Sequence, residues 1–158
     1  MGKFHKGTNN AVYVIIFVHP IFKSSNPGAA MTNLLFIAIG GAAGALLRYG
    51  VSGFVHSYAN GVFPWGTLVV NLSGCLVIGF LWQMFENLSF TPHMRSFMFI
   101  GIIGAYTTFS TYGLETFNLL REKEIAYVLL NFLGSNVLGL GMVFLGFITA
   151  RLLFSIAR

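Results

Sequence analysis

Charged side chains are scarce in this sequence. Nine Lys or Arg and four Glu make up 8% of its 158 residues, and aspartate is absent. An ordinary soluble domain carries about 25% charged residues, whereas 56% of this chain is hydrophobic. Because so few charges would not cover the surface of a soluble domain of this size, the composition excludes that class and predicts a protein embedded in a lipid bilayer.

Cysteine pairs and clustered positive charge are lacking as well. Cys75 is the single cysteine and lies in an apolar run, so a disulfide scaffold is excluded. The net charge is +5, but the basic residues are scattered along the chain rather than grouped. Basic residues that flank membrane spans produce this pattern more often than nucleic-acid binding does, and we predict no nucleic-acid partner.

Four apolar stretches are long enough to cross a membrane, which takes about 20 residues of helix for about 30 Å of hydrocarbon. We predict spans near 33–55, 65–85, 96–117 and 127–150. Short connections with proline, glycine and most of the acidic residues separate them, and no strand pattern competes. The predicted fold class is an all-α membrane protein with four transmembrane helices in one domain, 31–158.

Residues 1–30 have a different character. A basic start precedes a short apolar run, 11–18, which stops before Pro20. This order loosely imitates a signal peptide. The alternative, which we favour, is an N-terminal extension from a mis-assigned start, with Met31 as the working first residue.

The distribution of basic residues around the spans sets the expected orientation. With segment 1–30 included, six basic residues flank one side of the spans and two flank the other, which favours both ends in the cytoplasm. Without that segment the ratio is three to two. So weak a bias leads us to the hypothesis that the chain inserts in both orientations and pairs with an antiparallel copy.

Two polar side chains lie inside the first two predicted spans. Arg48 lies past the midplane of its span, where an unpaired charge costs several kcal/mol. It either snorkels to the far interface or faces a wet vestibule. Asn71 either joins helices by hydrogen bonds or lines a polar path, and its amide has two donors for an anion.

The third predicted span combines glycine with hydroxyl residues, as GAYTTFST from Gly104 to Thr111. This composition is poor for a continuous helix and predicts a break near the middle of the span. A break would free carbonyls such as those of Gly104 and Thr107, which are hard oxygen ligands suited to a small cation. The alternative is a helix face that uses hydroxyl groups for packing.

Three motifs in order resemble the small fluoride channel family, also called Fluc or CrcB. They are GGxxGAxxRY at 40–49, GTxxVNxxG at 66–74 and GxxTTFSTY at 104–112. The resemblance covers the chain from about Met31 to its end, and residues 1–30 have no counterpart in the pattern.

The resemblance implies a passive channel, not an enzyme, that exports fluoride from the cytoplasm across the cell (inner) membrane. It also implies an antiparallel, dual-topology homodimer with two fluoride pathways along the subunit interface. A structural sodium ion would be held by the backbone carbonyls of Gly104 and Thr107 from both subunits. Arg48 matches the arginine of the family's first span. The residues that match the ion pathway are Asn71, Phe109, Thr111, Tyr112, Ser135 and Glu115.

Tyr112 departs from the family pattern, which usually has a second phenylalanine there. The tyrosine ring keeps the partly positive edge that meets an anion, so we expect conduction to persist with an altered rate. Two other functions stay open at this point. One is a proton-coupled exporter of cationic compounds, for which Glu115 is the single candidate carboxylate, and the other is a non-conducting structural subunit.

Overall fold

The computed structural model describes residues 27–59 and 61–156, and every regular element within these two ranges is helical. The all-α prediction is therefore confirmed for the described part of the chain. Residues 1–26, which form most of the predicted N-terminal extension, lie outside the described residues. The choice between a leader and a mis-assigned start lies outside them too.

Helices follow one another along the described chain with short connections. The α-helices are α1 Pro27–Tyr58, α2 Trp65–Asn87, α3 Pro92–Arg95, α4 Gly104–Tyr106, α5 Phe109–Arg121, α6 Ile125–Leu133 and α7 Gly139–Ile156. A first π-helical segment, Ser96–Ile103, joins α3 to α4, and a second, Gly134–Leu138, joins α6 to α7. Such wide turns are rare in helices and are frequent at functional sites.

Four helical runs of the described chain are long and apolar enough to cross a membrane. Span 1 is Gly28–Tyr58, span 2 Trp65–Asn87, span 3 Pro92–Arg121 and span 4 Ile125–Ile156. The four predicted spans are confirmed, but their helices are longer than predicted. Hydropathy marks the hydrocarbon-facing part of a helix, whereas the helix itself continues into the polar interface.

Capping and turn residues fix where the spans begin. Pro64 lies directly before span 2, where its missing N–H leaves no donor unpaired. Span 3 begins with Pro92 at the first helical position, and the Thr91 hydroxyl accepts a hydrogen bond from the Met94 amide at 3.3 Å. Lys123 adopts a φ of 62° in the turn between spans 3 and 4. These connections occur where the sequence predicts them.

Span 1 lies in backbone contact with the first π-helical segment. A Cβ atom on Gly40 would lie 2.6 Å from the carbonyl oxygen of Phe97, and one on Gly44 would overlap the carbonyl of Ile102. Glycines four residues apart on one helix allow such a close approach between helices.

Span 2 packs along most of its length against α7 and closes the bundle. Near one end, Leu81 and Phe85 pack with Phe99 and Ile103 of span 3 in a buried apolar cluster. The rings of Phe85 and Phe99 meet edge to face with centroids 5.2 Å apart. This packing fixes spans 2 and 3 relative to each other.

Helical geometry is interrupted inside span 3. α4 ends at Tyr106, and α5 begins at Phe109. Between them the backbone is extended, with φ −77° and ψ 156° at Thr107 and φ −146° and ψ 121° at Thr108. Backbone groups at such a position need partners other than the regular helical ones.

Candidate functional site

Asn71 of span 2 supplies the partners for one residue of this interruption. Its side-chain nitrogen donates to the carbonyl oxygen of Thr108 at 3.0 Å, and its side-chain oxygen accepts from the Thr108 amide at 2.8 Å. Both polar backbone groups of Thr108 are thereby bonded to one side chain. Asn71 thus joins two helices, as one of its two predicted roles requires, and it also lines a cavity, while its part in a polar path stays a prediction.

The hydroxyl of Thr108 caps the helix that follows. It accepts from the Thr111 amide at 3.2 Å and donates to the Thr111 hydroxyl at 2.9 Å. In a regular helix the amides of Thr108 and Thr111 would bond to the carbonyls of Gly104 and Thr107, four residues earlier. Because both amides bond to side-chain oxygens instead, these two carbonyls lose their helical donors.

A first cavity of about 270 Å³ opens beside the interruption, between spans 2, 3 and 4. We call it the neutral cavity, because none of its lining residues carries a formal charge. Its polar lining includes Thr107 and Thr108. The predicted pathway residues that line it are Asn71, Phe109, Tyr112 and Ser135.

A second cavity of about 520 Å³ lies between spans 1, 2 and 3. We call it the charged cavity, because Arg48 and Glu115 both line it, together with Thr111. The Thr67 hydroxyl donates to one carboxylate oxygen of Glu115 at 2.8 Å. The other oxygen is buried with no hydrogen-bond partner among the described residues. Thr108 lines this cavity as well as the neutral one.

Predicted site residues also lie on the outer surface of the subunit. Phe109 is 83% exposed although it directly follows the interruption, and Gly104 is exposed too. The centroids of the Phe109 and Tyr112 rings lie 5.6 Å apart, and Tyr112 is buried. Phe109 and Gly104 thus lie at the surface of the subunit on either side of the interruption.

Span 4 contributes amides whose role sequence reasoning missed. Asn131 is fully buried and donates to the Thr116 hydroxyl at 2.9 Å, while that hydroxyl donates to the carbonyl of Tyr112 at 2.7 Å. Asn136 donates to the Tyr112 hydroxyl at 3.2 Å. The sequence shows polar residues in an apolar span, but nothing in it indicates which residues of span 3 they meet.

Comparison with known protein families identifies the family of this chain. The family model described as CrcB-like protein, Camphor Resistance (CrcB), matches residues 35–147. The match spans more than half of the chain and includes all three motifs. The chain belongs to the CrcB family. The family prediction is thus confirmed, and together with the four spans it makes the chain a multi-pass membrane protein.

Curated relatives of this CrcB chain carry the name fluoride-specific ion channel FluC. The protein from Salinibacter ruber is 50% identical over 116 residues, which cover 73% of this chain and 87% of the relative. The one from Desulforapulum autotrophicum is 44% identical over 122 residues, 77% of this chain and 98% of the relative. That of Maridesulfovibrio salexigens is 42% identical over 126 residues and is covered completely.

The structure brings the predicted residues of this CrcB chain together in two groups. Asn71, Phe109, Tyr112 and Ser135 line the neutral cavity, and Arg48, Thr111 and Glu115 line the charged one. Gly104 lines neither of these two cavities but lies one helical turn before Thr108. Their individual roles in ion passage stay predictions.

Proposed function

We propose that this protein is a passive, fluoride-selective channel that exports fluoride from the cytoplasm across the cell (inner) membrane. Family membership and the printed names of the relatives support fluoride as the ion. The observation that carries the proposal is the neutral cavity, in which amide, hydroxyl and aromatic groups meet inside the membrane without a formal charge.

The chemistry of the lining suits a small anion. Fluoride is strongly hydrated, so a pathway must replace its water with several hydrogen-bond donors. A full positive charge beside the ion would hold it too tightly for release, whereas neutral donors bind weakly enough to let it move on. The edges of aromatic rings, such as that of Phe109, carry partial positive charge and add to these donors.

The membrane potential supplies the driving force for export. A negative cell interior favours the outward movement of an anion by about 2.3 kcal/mol per 100 mV. A passive pathway therefore removes fluoride without nucleotide hydrolysis or coupling to another ion.

A proton-coupled exporter is disfavoured by family membership and by the names of the curated relatives. Such a carrier needs a membrane carboxylate that exchanges a proton for substrate. Glu115 is the candidate carboxylate: one of its oxygens is bonded to Thr67, and the other has no hydrogen-bond partner among the described residues. A non-conducting structural subunit would have no use for two polar cavities that share Thr108.

We further propose that the working unit is an antiparallel homodimer in which subunits insert with both topologies. The exposure of Gly104 supports this assembly, because its carbonyl, which has lost its helical donor, would be costly in contact with lipid. The weak bias of basic residues supports insertion in both orientations. A C-terminal tag should be accessible from both faces of native vesicles, and a tag found on one face alone would contradict dual topology.

The carbonyls of Gly104 and Thr107 are the proposed ligands of a structural sodium ion. Each has lost its helical donor to a side chain, so each has lone pairs available for a hard cation. One subunit offers two such carbonyls, and a second copy across the exposed face of Gly104 would complete a set of four. When bound, sodium would hold the two interruptions together, and it takes no part in moving fluoride.

Ion efflux from liposomes that contain the purified full chain tests the proposed function. We expect fluoride release that depends on a potassium ionophore, because a passive channel moves net charge, and that does not depend on a proton gradient. Fluoride release driven by the proton gradient alone would instead support a coupled carrier. Absence of release at protein densities that give several dimers per vesicle would support a structural subunit.

A further inference from the structure

Tyr112 and Asn136 form a contact between spans 3 and 4 at the wall of the neutral cavity. The amide nitrogen of Asn136 donates to the Tyr112 hydroxyl at 3.2 Å, and both residues line the cavity. Asn136 lies in the second π-helical segment, and Tyr112 lies one turn into α5. A phenylalanine at position 112 would leave this amide without its partner.

The direction of this hydrogen bond determines what each group has left to offer. Asn136 has two N–H donors, and it uses the other for the carbonyl oxygen of Phe132 at 2.7 Å. Its remaining side-chain group is a carbonyl, which repels an anion. The Tyr112 hydroxyl accepts from Asn136, so its own proton is available to another acceptor. No group among the described residues accepts that proton.

We propose that Tyr112 and Asn136 together present an additional O–H donor to the anion in the neutral cavity. Tyr112 is the ligand. Asn136 is a positioning residue, because its amide holds the hydroxyl so that the phenolic proton points away from span 4. The inference rests on the proposed fluoride channel and assigns to this chain a donor that a phenylalanine at position 112 would not provide.

A double-mutant cycle on the purified full chain tests this pair. The four proteins are the wild type, Tyr112→Phe, Asn136→Leu and the double variant, each measured for fluoride efflux from liposomes over a range of fluoride concentrations. We expect the half-saturating fluoride concentration to rise about 3- to 10-fold in each single variant, since Tyr112→Phe removes one hydrogen bond to a charged acceptor and Asn136→Leu removes the amide that aligns the donor of that bond. The double variant should show no further rise.

Controls separate this role from packing. Asn118 is exposed near the end of span 3 and lines neither cavity, so Asn118→Leu should leave the half-saturating concentration unchanged. Asn136→Ala serves as a second variant if Asn136→Leu fails to elute as the wild type does in size-exclusion chromatography. It removes the amide without adding bulk and should give the same rise.

The outcomes distinguish the inference from the proposed function. If the effects of Tyr112→Phe and Asn136→Leu multiply in the double variant, Asn136 acts independently of the hydroxyl and the inference is overturned. An unchanged or lower half-saturating concentration in Tyr112→Phe would also overturn it, because the hydroxyl would then be neutral or a brake. If the wild type releases no fluoride, the channel proposal itself fails.

Discussion

The two cavities differ in charge although they share one residue. The charged cavity contains Arg48 and Glu115, whereas the lining of the neutral cavity carries no formal charge. Thr108, buried between them, lines both and is held by Asn71. We propose a division of labour in which Arg48 attracts an anion to the charged cavity and the neutral donors receive it once its water is lost. Substitutions that add charge to the neutral cavity should therefore have larger effects than substitutions that remove charge from the charged cavity.

The largest effect is expected from Asn71→Asp, which places a negative charge in the neutral cavity. The carboxylate would repel an anion and would lose the bond to the Thr108 carbonyl. We expect fluoride efflux from liposomes to fall by at least about 100-fold, since like charges at contact distance cost several kcal/mol in a protein. Asn118→Asp makes the same chemical change at an exposed site outside both cavities and should conduct normally. Undiminished flux in Asn71→Asp would remove this residue from the pathway.

A smaller loss is expected from Thr108→Val, which keeps the shape of the shared residue but removes its hydroxyl. Without this cap, the Thr111 amide is free to return to the Thr107 carbonyl and α5 can extend backwards. We expect fluoride efflux to fall about 5- to 30-fold, because losing a cap costs about 1 to 2 kcal/mol.

The matched control for this change is Thr149→Val in span 4. Thr149 is exposed, and within the described part of the chain its hydroxyl bonds only to the carbonyl of Leu145 at 2.8 Å, one turn earlier in the same helix. Equal losses in Thr108→Val and Thr149→Val would mean that the cap has no particular part in conduction.

Arg48→Gln should have a moderate effect that depends on salt. Removing the positive charge lowers the local concentration of anions in the charged cavity. We expect efflux to fall about 3- to 10-fold at low ionic strength and the difference to shrink at high salt, as screening shortens the reach of the charge. Arg48→Lys should retain most of the flux. A loss that is the same at every salt concentration would point to a structural role for Arg48.

The smallest effect is expected from Glu115→Gln. The glutamine oxygen still accepts from the Thr67 hydroxyl, and the charged cavity loses a negative charge that an anion does not need. We expect fluoride efflux to change by less than about 3-fold, because a charge that does not touch the anion alters its energy only slightly. Complete loss of transport would contradict this expectation and favour the proton-coupled carrier, which depends on a carboxylate.

Much of the fold is predictable from the sequence because apolar length and composition determine which segments cross a bilayer. The start of span 2 at Trp65 follows from the preceding proline, and the contacts of Gly40 and Gly44 follow from their spacing. The start of the first helix is less predictable. The sequence predicts the first span from about residue 33, whereas α1 begins at Pro27, because residues 27–32 continue the helix without extending its apolar core.

The site is only partly predictable. Motif resemblance identified Asn71 and Tyr112, but their partners lie on other spans, 37 and 24 residues away in the chain. Hydrogen bonds over such separations depend on how helices are rotated against one another, and the sequence pattern of one helix does not determine that rotation. The burial of Asn131 likewise results from packing between spans 3 and 4.

The most direct test of the division between the cavities is the reversal potential of the wild-type current in a planar bilayer. Fluoride is placed on one side and an equal concentration of chloride on the other. If neutral donors select the ion, the reversal potential follows the fluoride gradient and shows negligible chloride permeability. A reversal potential near zero would mean that both anions pass equally, and it would contradict the claim that this lining selects fluoride.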